Sequence, residues 1–358
     1  MKGFGRPLLV VVILGGVFLA VTWFQRGREC RDLGGGYFEG TIPGLGPVSL
    51  GFWDEEGGMA GQVTLERSGI PRSLTGARTG TGSGRLVHLT WSQVDYEDAC
   101  GALLLVVNLT ADGATLNGTW REFDDAEPRV FRLERVASVR ELRATFALRF
   151  REYGHRSRFR FALPRPVGGS EVFSDALLRD VEKQRDQFLG RVEDVWDGFR
   201  NPGFSNDWEY QAGVVVRRLD SRICSLMAET YPYRGGNGNW TRYHEMNFAV
   251  VNGRVRSFRL SELFVSGTAW DPFLRVYCAT DLRRQGASRM VLGDGELPET
   301  DFKLFTVSEG GIQIYFDPYE VASGAEGCFM VHVPFSDLRP YLDPQGLGGK
   351  VTARRDPE

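Results

Sequence analysis

Lysine is almost missing from this chain. It occurs only at Lys2, Lys183, Lys303 and Lys350, so arginine carries nearly all of the positive charge. The 43 basic residues stand against 46 acidic ones, a net charge of -3, which leaves no basic excess of the kind that holds a nucleic-acid backbone. Nucleic acid is therefore excluded as a partner. Histidine is scarce as well, at His88, His155, His244 and His332. No His-Glu-x-x-His, Gly-x-Ser-x-Gly or phosphate loop occurs, and no cysteine pair has metal-ligand spacing. The expectation is a chain with no metal, no cofactor and no catalytic centre. Cysteine is limited to Cys30, Cys100, Cys224, Cys278 and Cys328. An odd number leaves one free. In an exported chain the others tend to pair, and Cys30 with Cys100 is the bridge expected within the first region.

Long apolar runs are missing but for one. Lys2 and Arg6 precede an uncharged stretch from Leu8 to Phe24, and Arg26, Arg28 and Arg31 follow it. Its length fits a short membrane span or a slightly long signal-peptide core. Ala20 with Phe18 makes a poor cleavage pair, which favours an uncleaved signal anchor within residues 1–29 over a cleaved signal peptide. Either reading exports the remainder to the cell envelope, with residues 8–24 as the contact with the membrane. The preference for arginine and the 45 glycines fit the codon usage of a GC-rich bacterium.

What is plentiful is ordinary globular material. With 358 residues, 42% hydrophobic and 25% charged, the chain can bury a real core and has room for about two domains. Residues 33–138 read as strand and turn only. Apolar runs at Val48–Phe52, Ala60–Leu65, Leu86–Trp91, Leu103–Leu109 and Val130–Leu133 alternate with glycine-rich breaks, the pattern of an antiparallel meander. Glycines beside apolar residues at Gly61, Gly76 and Gly118 suggest the bends of a small barrel-like domain. A linker is expected at Ser138–Arg143.

Residues 143–345 read as an α+β domain. Ser174 is a candidate N-cap. Beyond it Leu178, Val181, Phe188, Val192, Val195 and Phe199 recur at helical spacing, which predicts one long helix ending near Arg200. Strands are predicted at Trp208–Leu219, Ile223–Tyr231 and Trp240–Val251, with an Asn252-Gly253 turn. A short helix over Trp270–Gln285 and strands at Phe302–Thr306, Gly311–Phe316 and Cys328–Pro334 complete the domain. Residues 346–358 are expected to form a mobile tail.

Three stretches carry a resemblance: Asn252-Gly253-Arg254-Val255 with Leu260-Ser261-Glu262-Leu263-Phe264, then Gly311 to Val321 with its Tyr315-Phe316-Asp317-Pro318-Tyr319-Glu320 core, and then Val333-Pro334-Phe335-Ser336-Asp337-Leu338. Together they resemble the extracytoplasmic domain shared by lysozyme-sensing anti-sigma factors of the RsiV type and peptidoglycan deacetylases of the PdaC type. The resemblance covers roughly residues 143–345. It implies an exported module, and it implies neither parent activity. Seven residues precede the apolar run, too few for a sigma-binding segment, and no deacetylase metal cluster is present. The loop Gly235-Gly236-Asn237-Gly238-Asn239 also lacks the Gly-Gly-Ala-His run of the family.

Candidate contact residues follow from aromatics beside turns, which offer large area at small entropic cost. Tyr231, Tyr233 and Trp240 flank one loop. Tyr315, Asp317, Tyr319 and Glu320 surround the Asp-Pro turn. Paired carboxylates can serve glycoside hydrolysis, but Asp-Pro is also ordinary turn chemistry. His244-Glu245 is an acid–base pair in sequence only, since strand neighbours point to opposite faces. The function expected is a non-enzymatic envelope module binding a protein or peptidoglycan. The alternatives are a wall-modifying enzyme and a structural component of an envelope complex.

Overall fold

The computed structural model describes residues 8–14, 17–55, 58–65, 71–79, 86–92, 102–109, 113–122, 127–150, 153–191, 207–235, 241–287, 297, 302–323, 326 and 328–353. Before residue 35 and across 75–112 it describes the backbone course alone. The first strands are β1 (Leu8–Leu14), β2 (Val17–Ile42), β3 (Gly46–Glu55), β4 (Gly58–Leu65), β5 (Pro71–Thr79), β6 (Leu86–Ser92), β7 (Ala102–Leu109), β8 (Thr115–Glu122), β9 (Arg129–Phe150) and β10 (Tyr153–Pro166). Helix α1 (Ser174–Leu189) leads to β11 (Asp207–Leu219), β12 (Ile223–Tyr233), β13 (Arg242–Val251) and β14 (Arg254–Ser257). Helix α2 (Trp270–Arg284), β15 (Phe305–Val307), β16 (Gly311–Phe316), β17 (Phe329–Pro334), α3 (Phe335–Leu338) and α4 (Leu347–Thr352) complete the chain.

Strands β1 to β14 lie in one 14-stranded sheet in chain order, and β15–β16–β17 form a second, antiparallel sheet. The large sheet is antiparallel except where β10 meets β11. Parallel neighbours need a long crossover, and α1 lies within the one that joins these two. Asn252 and Gly253, both at positive φ (51° and 72°), make the predicted tight turn between β13 and β14.

The predicted meander is present, with a correction to its closure. Strand β9 pairs with β8 and also with β2, so the sheet curls back on itself. It is not a separate closed barrel, because β9 continues as the neighbour of β10 in the same sheet. The linker expected at Ser138–Arg143 lies in the middle of β9. Val139 and Leu142 are buried, and so is Glu141, which Arg143 pairs through its Nε, so the charges of this stretch belong to a strand packed in the sheet. One strand thus carries two cores. Phe131 and Leu133 pack with Phe38, Leu50, Phe52 and Trp120 inside the curled part. Further along, Ala137, Val139, Leu142, Ala144 and Phe146 join the core beneath α1.

That second core forms because α1 places Leu177, Val181 and Phe188 on one stripe. The stripe covers Phe159, Phe161, Tyr210, Val214, Val216 and Leu226 of β10, β11 and β12. Each such side chain contributes about 1.5–3 kcal/mol on burial. The helix starts at Ser174 itself, with Phe173 in the cap position and no side-chain cap. It ends at Leu189, and the predicted continuation through Val192, Val195 and Phe199 falls outside the described residues. A third core joins α2, through Leu274, Cys278 and Leu282, to Ile312, Ile314, Val331 and Val333 of the small sheet.

Both ends of the chain correct the sequence reading. Residues 8–14 and the beginning of β2 are paired antiparallel strands where an anchoring helix was expected. The run is rich in β-branched residues, Val10, Val11, Val12, Ile13, Val17 and Val21, which favour extended backbone. No helix among the described residues is long and apolar enough to cross a membrane, which leaves crossing by strands unaddressed. The expected mobile tail is instead helix α4 as far as Thr352, with Leu347 and Val351 buried in the third core. Cys100 of the expected Cys30–Cys100 bridge lies outside the described residues, while Cys224, Cys278 and Cys328 are free thiols.

Candidate functional site: a cleft where three cores meet

A cleft of about 690 Å³ opens where the three cores adjoin. Its walls are β2 and β3 at Glu39–Thr41 and Pro47–Ser49, β9 at Glu134–Val136, the end of β11 with its turn to Arg222, and the Ser308–Glu309 turn between β15 and β16. This size is typical of pockets for small ligands. Its lining is mixed: apolar residues such as Val48, Val136 and Leu219 stand beside hydroxyls at Thr41, Ser49, Thr64, Ser170, Ser221 and Ser308, carboxylates at Glu39, Glu134, Asp220 and Glu309, and the guanidinium groups of Arg135, Arg217 and Arg222.

The β11 strand explains why an arginine reaches this place. Its register against β12 shifts between Val216 and Arg218, which leaves Arg217 as an extra residue. A bulge of this kind re-aims a side chain. Two adjacent arginines consequently meet different surroundings. Arg218 is fully buried and fully engaged. Its Nε donates to Asp220 Oδ2 at 2.6 Å, its Nη2 to the Ala353 carbonyl at 3.0 Å, and its Nη1 to the Val351 carbonyl. Asp220 in turn accepts the backbone N–H groups of Arg222 and Ile223, both at 2.8 Å, which fixes the β11–β12 turn. Arg217 is only 6% exposed, and its Nε and Nη2 are buried without a hydrogen-bond partner. Its charge reaches the Tyr315 phenol, which burial pushes up and Arg217 pulls back. On the same face of β16 as Tyr315, Gln313 is also buried with both amide atoms unpartnered.

Beside the cleft the large sheet and the small sheet are held by a satisfied polar set. Ser225 Oγ donates to Asn247 Oδ1 at 2.6 Å and accepts the Val307 N–H at 2.7 Å, and Asn247 Nδ2 donates to the Phe305 carbonyl at 2.8 Å. Tyr37 Oη donates to the Val214 carbonyl at 2.8 Å and ties the curled part to β11.

The contact residues predicted from sequence divide between surface and interior. Tyr315 is buried, tilted against the Tyr243 ring at 4.9 Å, with its hydroxyl 3.2 Å from Thr306 Oγ1. It faces inward because β16 is buried along its whole length, so it is corrected from contact residue to core. Asp317 accepts the Tyr243 N–H at 2.9 Å, and its own N–H donates to Glu320 Oε2 at 2.9 Å. Burial raises the Asp317 carboxyl, and the Tyr243 N–H opposes that rise. Glu320 is thereby a turn-closing group. Tyr319, at φ 73° and 63% exposed, does present its ring to solvent. Tyr231 is exposed and Tyr233 half-buried at the end of β12, while Trp240 lies outside the described residues.

Glu229 opposes Tyr243 across β12 and β13, and burial raises its carboxyl despite a 3.4 Å hydrogen bond from Gln62 Nε2. Burial also pushes the Cys328 thiol up to about 11 and raises the Tyr243 phenol. The Cys328 thiol and the Tyr243 phenol hold their protons at neutral pH. His244 turns toward α1, where its Nε2 lies 2.6 Å from Asp180 Oδ2. Gln184 joins Asp180 to Tyr210 in the same chain of hydrogen bonds. His155 is a core residue, 2.6 Å from Ser157 Oγ and edge-on to Trp208. Arg217 was missed in the sequence. The signal was there: Arg217-Arg218 interrupts a Val214-Val215-Val216 run inside a predicted strand.

Comparison with known proteins agrees with the resemblance read from the sequence. Residues 261–336 match the family model described as a protein of unknown function, DUF3298. A Bacillus subtilis protein named peptidoglycan-N-acetylmuramic acid deacetylase PdaC is 25% identical over 191 residues, 52% of this chain and 40% of the relative. The match thus spans less than half the length of that curated relative. Two crystal structures of DUF3298 proteins also align. One, from Bacteroides fragilis, is 14% identical and covers 56% of this chain and 90% of its own, with a TM-score of 0.39. The other, from Pseudomonas aeruginosa, is 12% identical and covers 54% and 87%, also with a TM-score of 0.39. The matched segment runs from the short helical turn before α2 through β17, so it holds most of the third core and the Tyr315–Glu320 turn, while Arg217 lies outside it. Residues 261–336 are a DUF3298 domain, set within a longer region related to PdaC.

Proposed function

We propose that this chain is an exported envelope protein that binds a cell-wall glycan or a wall-associated protein without transforming it. The observation that carries the reading is the cleft, a ligand-sized recess of mixed polar and apolar lining, built at a junction between cores and holding a buried cation. Pockets at such junctions are favoured binding places. The name of the Bacillus subtilis relative, an enzyme of peptidoglycan, supports the wall as the ligand's source. The charged flanks of residues 8–24 support export. Cosedimentation of the full chain with purified peptidoglycan sacculi tests it. Saturable retention without released sugar or peptide is the expected result, and no retention at any protein concentration would contradict it. Export is tested by a C-terminal reporter active only outside the cytoplasm, and the mass of the mature chain separates anchor from cleaved peptide.

A wall-modifying enzyme is the second reading. The His244–Asp180 pair favours it, since a carboxylate that orients an imidazole is part of many acid–base sites. Release of reducing ends or acetate from sacculi, abolished by His244→Ala, would establish that reading over simple binding.

A further inference from the structure

An ionised side chain that is taken out of water without a partner sits at a cost unless something else supplies the counter-charge. Arg217 is in that position. It is more than nine-tenths buried, it lines the cleft, and its Nε and Nη2 donate to nothing. The fold did not lack the means to pair it. Asp220, three residues on, is committed to Arg218 and to the turn N–H groups. Glu134 is paired outward with Arg132 at 3.2 Å. Tyr315, whose phenol its charge reaches, stays protonated and cannot neutralise a cation. Arg217 shares the recess with Arg135 and Arg222, with carboxylates at Glu39, Glu134, Asp220 and Glu309, and with hydroxyls that suit the hydroxyls and amides of a ligand.

We propose that Arg217 is the anchor for a single carboxylate on a wall-derived ligand whose remaining surface is neutral and rich in hydroxyl or amide groups. Nε and Nη2 form one edge of the guanidinium, the edge that meets both oxygens of a carboxylate in a forked pair; it is closed to solvent in the free chain, so the pair forms after the side chain turns toward the cleft. The inference rests on the binding function proposed above and specifies the chemistry that function reads. In a peptidoglycan fragment the carboxylate belongs either to the sugar or to the stem peptide. The structure assigns the group and leaves its source to be separated experimentally.

The test uses the full chain and three probes: native sacculi, the same sacculi with carboxyl groups amidated, and the two halves of the polymer separately as peptide-free glycan strands and free stem peptides. Wild-type protein is expected to bind native sacculi at least tenfold more tightly than amidated ones, and to bind one of the two halves in competition with sacculi. Arg217→Gln is expected to lose that tenfold preference while melting cooperatively. Arg217→Lys, which keeps the charge and loses the fork, is expected to fall between the two. If Arg217→Gln retains the preference, or amidation leaves wild-type binding unchanged, the role given to Arg217 is overturned while wall binding stands. If no probe is retained, wall binding and the role of Arg217 fall together.

Discussion

The seam between the large and small sheets and the cleft beside it are built from the same kinds of residue and treat them in opposite ways. At the seam, Ser225 and Asn247 are fully buried or nearly so, and their polar atoms are taken up within one connected set. Arg218, next to the cleft, is saturated in the same fashion by Asp220 and two carbonyls at the end of α4. Across one peptide bond, Arg217 has none of this. Since buried polar groups in native proteins are generally satisfied, a fold that completes one arginine and omits its neighbour marks the omitted one as a group for something else. The difference shows how a bound partner can be read from a chain that contains none.

The comparison can be broken or sharpened by mutation. The largest effect is expected at Arg218→Met, which strands the Asp220 carboxylate and two carbonyls in the interior. A loss of about 3–5 kcal/mol in urea unfolding is expected, and a loss near zero would remove the contrast with Arg217. Asn247→Leu comes next, because it leaves Ser225 Oγ and the Phe305 carbonyl without their partner. About 1–3 kcal/mol is expected for a group left unpaired. Lost contact between the sheets should also show as faster amide exchange at Val307. Tyr37→Phe removes one hydrogen bond and no packing area, so about 1 kcal/mol is expected.

The smallest effect is one of pH. Glu229 is raised in the folded state, chiefly by burial. The fold therefore binds this proton more tightly than the unfolded chain does. That stabilisation is fully present below the ordinary glutamate value and is lost as pH rises through the folded value. Glu229→Gln should flatten the melting temperature against pH across that window. A variant with the same slope as wild type would show that the buried carboxyl lies elsewhere.

Much of the fold was legible in the sequence. Apolar runs between glycine-rich breaks and turn signals located β3, β4, β6, β7, β11, β12 and β13, because strands of a sheet are short apolar segments bounded by turns. Asn252-Gly253 located a turn because only that kind of pair accepts two consecutive positive φ angles readily. Two features escaped for related reasons. Ser138–Arg143 looked like a linker because its charges are frequent, although they lie within β9, where Glu141 is buried and paired with Arg143. The tail looked mobile because glycine and charge dominate it, although Leu347 and Val351 are enough to dock α4. Of the site, Tyr319 was legible as an exposed aromatic and Tyr315 was not legible as buried, since alternation fails in a strand buried on both faces. Arg217-Arg218 after Val214-Val215-Val216 was a visible interruption, but which of the two arginines faces the cleft depended on the bulge, and a register shift cannot be read from one sequence.

Unfolding of Arg217→Met beside Arg218→Met, both without ligand, is the most direct measurement. Methionine keeps an apolar stem and removes the charge. If Arg217 is held for a partner, its loss in the free protein removes a desolvation cost and nothing else, so Arg217→Met is expected to be as stable as wild type or more so. If Arg217→Met instead loses as much stability as Arg218→Met, the guanidinium is a structural pillar of the junction and its reading as an anchor is contradicted.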